Sequence, residues 1–98
     1  MSEIETLNFN VKSYTYLIDY FYIHTYEQSN YEHLDCEHLE IICMKNIKKF
    51  TQKNNIITLY YESDDELFVI NLVFSDLDIM YDMIPKLFEY NMEFLKVA

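Results

Sequence analysis

The chain has 98 residues, with seventeen acidic side chains against seven basic ones and a formal net charge of −10. So acidic a chain would be disordered if it were poor in hydrophobics, but 51% of its residues are hydrophobic and 17% aromatic, so the acids belong to the surface of a folded unit. Without a glycine there is no phosphate-cradling loop or dinucleotide fingerprint, and the negative sign disfavours nucleic acid and anionic membranes as direct ligands.

At this length residues 1–98 make a single domain, large enough to bury a core without disulfides. The opening Met1-Ser2-Glu3-Ile4-Glu5 is acidic where a signal peptide needs a basic region. No apolar run reaches the ~18 residues of a membrane span. A cytoplasmic location is expected, in the host cytoplasm if the chain is phage-encoded. Ile, Asn, Tyr and Phe are abundant, whereas Gly and Arg are missing, a bias that points to an AT-rich genome. That bias also raises Lys, so the acid excess runs against it and reads as selected.

In chain order, residues 5–11 alternate, with Leu7, Phe9 and Val11 on one side, and predict a short strand. Residues 13–27 carry two patterns. Tyr14, Leu17, Ile18, Phe21 and Thr25 share a helical face, while Tyr14, Tyr16, Ile18, Tyr20, Tyr22 and Tyr26 alternate as in a strand. The opposed placement of Lys12, Asp19 and Glu27 favours helix. A second helix is expected over 29–53, opened by a Ser29/Glu32 capping box. Its stripe is Cys36, Leu39, Ile42, Cys43, Ile47 and Phe50, with acids early and lysines late along the dipole. Asn54-Asn55 closes it.

A hairpin follows, with strands at 56–62 and 66–74 and a turn at Ser63-Asp64-Asp65. The second of these strands is apolar on both faces and reads as central. Ser75 then caps a helical region whose apolar side is Leu77, Met80, Ile84, Phe88, Asn91 and Leu95, either kinked or split at Pro85. The expected fold class is α+β: a small antiparallel sheet, the hairpin plus the N-terminal strand, packed on three or four helices in the order β-α-α-β-β-α.

No cofactor, metal or catalytic set is expected. His33, Cys36, Glu37, His38 and Glu40 lack the paired short spacings of zinc frameworks. Two acidic runs lack the regular oxygens and glycine of a calcium loop. Cys36 or Cys43 with His24 could form a nucleophile pair, but both cysteines fall on an apolar stripe. On one helix they stand about 10 Å apart at ~5.4 Å pitch, too far for a disulfide.

The charge carries the functional expectation. Helix two balances its own acids with its own lysines. The unbalanced acids are Glu62, Asp64, Asp65 and Glu66 in the hairpin turn, then Asp76, Asp78, Asp82, Glu89 and Glu93. On a continuous helix the last four of these form one row, diluted by Lys86 and Lys96. Tyr16 and Tyr20, beside the charged side of the first helix, add aromatic anchoring area. These residues predict a surface that binds a basic protein, in the manner of a nucleic-acid mimic of the phage anti-CRISPR or anti-restriction type. The alternatives are an immunity or antitoxin protein that neutralises a toxic enzyme, and an oligomerising accessory module such as a homodimer.

Overall fold

The computed structural model describes residues 4–26, 37–89 and 93–96. Its strands are β1 (Glu5–Leu17), β2 (Tyr20–Tyr26), β3 (Glu37–Cys43), β4 (Ile47–Lys53), β5 (Ile56–Ser63), β6 (Glu66–Phe74) and β7 (Glu93–Lys96). A 3-10 turn, Met44–Asn46, joins β3 to β4, and the single α-helix among the described residues is α1 (Leu77–Phe88). All strands belong to one seven-stranded sheet of order β3-β2-β1-β6-β5-β4-β7. The β1–β6 and β4–β7 pairs are parallel and the others antiparallel.

This overturns the expected packing of a small antiparallel sheet on three or four helices. The segment 13–27 is strand rather than helix: β1 runs on to Leu17, turns at Ile18-Asp19 and returns as β2. The helix expected over 29–53 is replaced by β3, the 3-10 turn and β4. Its capping box and Cys36 lie outside the described residues. Helical spacing arose from irregular strands. A bulge between Val11 and Ser13 puts Val11 and Tyr14 on one face three residues apart, and another between Ile47 and Lys49 does the same for Ile47 and Phe50. Leu39 and Ile42, also three apart, point to opposite faces, the first exposed and the second buried.

The hairpin is where the sequence places it. Ser63 pairs with Glu66, and the two residues between them are both left-handed, Asp64 at φ 52° and Asp65 at φ 63°. That turn has the twist that strands require. β6 lies between β1 and β5, as its two apolar faces imply. Asn54 is left-handed at φ 54° in the β4–β5 turn, not at a helix end.

The connection from β3 to β4 makes the sheet curl. These strands are five positions apart in the sheet, about 24 Å if flat at ~4.8 Å per strand. Three intervening residues reach at most about 14 Å. The two margins are therefore drawn together, and polar contacts hold them. The Tyr61 hydroxyl on β5 accepts from the Cys43 backbone N–H at 3.2 Å and from Asn46 Nδ2 at 3.3 Å. The Met44 N–H donates to the Asp19 carbonyl at 2.7 Å. Inside the curl, Phe21, Ile23, Phe50, Ile57, Leu59, Leu72 and Phe74 are buried together with Met80, Met83 and Leu87 of α1. On the outer side, Thr58, Asn71 and Asn8 form a hydrogen-bonded rung across β5, β6 and β1, at 2.7 and 2.9 Å.

Candidate functional site

α1 begins where β6 ends, and its cap is Asp76 rather than Ser75: the Asp76 carboxylate accepts from the Asp78 N–H at 2.9 Å. The buried stripe is Met80, Met83 and Leu87, one position round from the expected one, and it leaves Leu77 and Phe88 exposed. Pro85 lies within a single helix that ends three residues later. Glu89 is its C-cap and Glu93 belongs to β7, so the expected four-acid row is broken after Asp82.

After its bulge, β1 brings Tyr14 and Tyr16 to the inner face beside α1. Tyr16 packs on Phe21 with ring centroids 4.8 Å apart, and Tyr14 meets the same ring edge-on at 5.6 Å. Between strand and helix opens a cleft of about 540 Å³, lined by Ser13, Tyr14, Tyr16, Asp78, Ile79, Asp82 and Lys86. The Tyr14 hydroxyl donates a short hydrogen bond to Asp82 Oδ2. Lys86 Nζ lies 3.2 Å from the same oxygen and 5.6 Å from the Tyr14 ring centroid.

Electrostatics follow from that triad. Burial raises the Tyr14 pKa, and the Asp82 carboxylate raises it further by fixing the proton. The bonds from Tyr14 and then Lys86 hold Asp82 below the ordinary aspartate range. Lys86 is raised, first by its contact with the Tyr14 hydroxyl. Asp78 has no ion pair among the described residues. Two aromatic walls, the exposed Asp78 carboxylate and a carboxylate shared with an internal ammonium suit a cation.

The cleft thus joins Tyr16, Asp78 and Asp82 from the expected set. Tyr14 lies outside that set because a helical reading groups it with Leu17 and Phe21, although its alternation with Tyr16 carries the signal. Tyr20 is on the other side of the sheet, outward beside Tyr22 at 6.4 Å between ring centroids. Glu62 is not free of bases, since Lys48 from β4 lies 4.0 Å away. Asp64, Asp65 and Glu66 are exposed at the β5–β6 turn. The nine residues of β6 separate that turn from Asp76, about 30 Å at ~3.3 Å per residue. The expected acidic residues therefore make two separate patches.

Charge is also segregated between the sides of the sheet. The outward face of β1–β3 shows Thr15, Leu17, Tyr20, Tyr22, Leu39 and Ile41, and Glu37 of β3 is in register with Tyr26 at its end. Across β4 and β5 the outward residues include Lys49 and Lys53, Lys49 lying 4.7 Å from the Tyr60 ring centroid. Exposed carboxylates concentrate instead on α1 and the β5–β6 turn. Cys43 and His24 share the outward face four residues apart in register, about 13 Å at ~3.3 Å per residue, and form no nucleophile pair.

Among the described residues, no three His, Cys, Asp or Glu side chains are grouped to hold a metal ion, and no helix is long and apolar enough to cross a membrane. Comparison with family models, curated proteins and solved structures returns no match to this chain.

Proposed function

We propose that the chain is a non-enzymatic inhibitor that acts in the cytoplasm by occupying a basic, nucleic-acid-binding surface of another protein. The observation that carries this reading is the segregation of charge. Asp78, Asp82 and Glu89 stand exposed along α1, beside a tyrosine-walled cleft, while the β1–β3 outward face from Leu17 to Leu39 presents apolar and tyrosine side chains. Charge for solubility alone has no reason to avoid one face. Glu89 adds to this, because a carboxylate at a helix C-terminus is opposed by the dipole and gains nothing structurally.

In this mechanism the α1 carboxylates take the positions of phosphates against Lys and Arg of the partner. One guanidinium enters the cleft between Tyr14, Tyr16 and Asp78, where the aromatic faces and carboxylate both attract it. Association is steered by charge and weakens with salt. The β5–β6 turn, at the far end of β6, is a separate contact or none.

The test takes a partner captured from bacterial lysate and follows labelled duplex DNA or RNA bound to it by fluorescence anisotropy. The chain should displace the nucleic acid, less effectively as salt rises, and Asp78→Asn with Glu89→Gln should weaken displacement at least about tenfold. A ternary complex that retains its nucleic acid would rule out the proposal, as would displacement indifferent to both substitutions.

A further inference from the structure

We infer that the outward face of β1–β3 is the seat of a second copy of this chain, the two copies packing these faces together about a two-fold axis. The surface is apolar and unusually bare. Leu17, Tyr20, Tyr26, Leu39 and Ile41 project from three adjacent strands, each between 41% and 56% exposed. They lie in one tract because Leu17 is in register with Tyr20, Ile41 with Tyr22, and Leu39 with His24.

Area and charge choose the occupant. At ~200 Å² for a large side chain, half-exposure of five leaves about 500 Å² per copy. A symmetric pair then covers about 1,000 Å², the size at which specific interfaces begin. A tract of about 500 Å² on one copy matches the largest apolar patch a monomer ordinarily carries, and patches of that size are often functional.

Two molecules of net charge −10 repel one another, so self-association is tolerated only where acids are kept away. The part of the face from Leu17 to Leu39 meets that condition among its described side chains; at its end, Glu37 is in register with Tyr26, and Lys12 lies 5.7 Å from the Tyr26 ring centroid. A basic partner would gain nothing here, because the carboxylates it needs are on α1 and the β5–β6 turn. A copy of the same face is apolar in the same places, as an isologous contact requires.

The pairing is independent of the inhibitory reading and responds oppositely to salt. Screening relieves repulsion between two acidic copies, whereas it weakens an acidic face bound to a basic partner. A dimer of this kind leaves both α1 faces open.

Sedimentation equilibrium of the full chain, from micromolar to several hundred micromolar, tests the inference. The wild-type chain should dimerise, and more tightly in about 0.5 M NaCl than at low salt. Ile41→Glu on β3 and Leu17→Glu on β1 should each raise the dissociation constant at least about tenfold, since each buries an unpaired carboxylate. Leu77→Glu, exposed on α1, should leave the dimer unchanged. Far-UV circular dichroism confirms that each variant is folded. If one β-strand variant does not fold, the other and Tyr20→Glu on β2 decide. A wild-type monomer throughout the range overturns the inference. So does a dimer that loosens in salt, or one that survives folded Ile41→Glu and Leu17→Glu.

Discussion

The hydroxyl of Tyr14 on β1 donates to the carboxylate of Asp82 on α1, tying together residues 68 apart in the chain at the edge of the cleft. Tyr14→Phe removes this donor and keeps the ring. Asp82 should then titrate higher, nearer an ordinary aspartate, with Lys86 still holding it partly down. Because the folded pKa is lowered, the contact contributes above the ordinary aspartate range and is lost as pH falls through the lowered value. The raised Tyr14 pKa keeps the donor protonated through neutral pH, and its contribution is lost only as pH rises through that raised value. Carboxyl NMR titration of the two proteins checks this, and an unmoved Asp82 would mean that the bond is absent in solution.

Tyr61→Phe should destabilise the fold by about 1–2 kcal/mol, because the Cys43 N–H and the Asn46 amide lose their acceptor where the sheet margins meet. Its neighbour offers a control. Tyr60 faces outward, and Tyr60→Phe keeps the ring beside Lys49, so its effect should stay within about 0.5 kcal/mol. Urea denaturation of the two variants gives the comparison directly.

Ile18 occupies the first position of the two-residue turn between β1 and β2 at φ 58°. A β-branched residue is disfavoured there, and this turn takes glycine first. Since its side chain is 84% exposed, Ile18→Gly removes little packing. It should raise stability by about 1 kcal/mol, or about 4–8 °C in Tm. An unchanged or lower Tm would show that the strain is absent or that the side chain is held by contacts worth more.

The α1 acids should divide by role. Asp76→Ala removes the N-cap bond and should cost about 1 kcal/mol. Glu89→Gln relieves the dipole at the other end and should be neutral or stabilising by a few tenths of a kcal/mol. Thermal melts separate the two. A substantial loss on Glu89→Gln would give that carboxylate a structural role and remove it from the partner surface.

Part of this was legible in the chain. The hairpin strands alternate without a bulge between β5 and β6, and the β6 segment is apolar on both sides, so its central place could be read. The helix over 77–88 carries a helical stripe, although its buried face is rotated by one position. The tyrosines show why the rest was not legible. Tyr14 and Tyr16 face inward while Tyr20 and Tyr22 face outward, because the turn at Ile18-Asp19 reverses the phase. One-dimensional periodicity cannot distinguish a helix from two strands joined by a tight turn and offset by bulges. The site suffered likewise: Asp78 and Asp82 were found by charge, but Tyr14 needed the pairing of β1 with β2 to place it.

By itself the sequence determined that the chain folds, that its composition is strongly acidic and that the acids without neighbouring lysines fall at the hairpin turn and in the segment after it. Those properties follow from composition and local order, which need no partner in space. Only the tertiary structure decided which acids are neighbours. The length of β6 parts the β5–β6 turn from α1, and the end of α1 parts Asp82 from Glu93. Curling the sheet over a three-residue connector sends the apolar face of β1–β3 outward and the acidic helix to another side. That separation of surfaces depends on contacts between residues far apart in the chain, which no local pattern records.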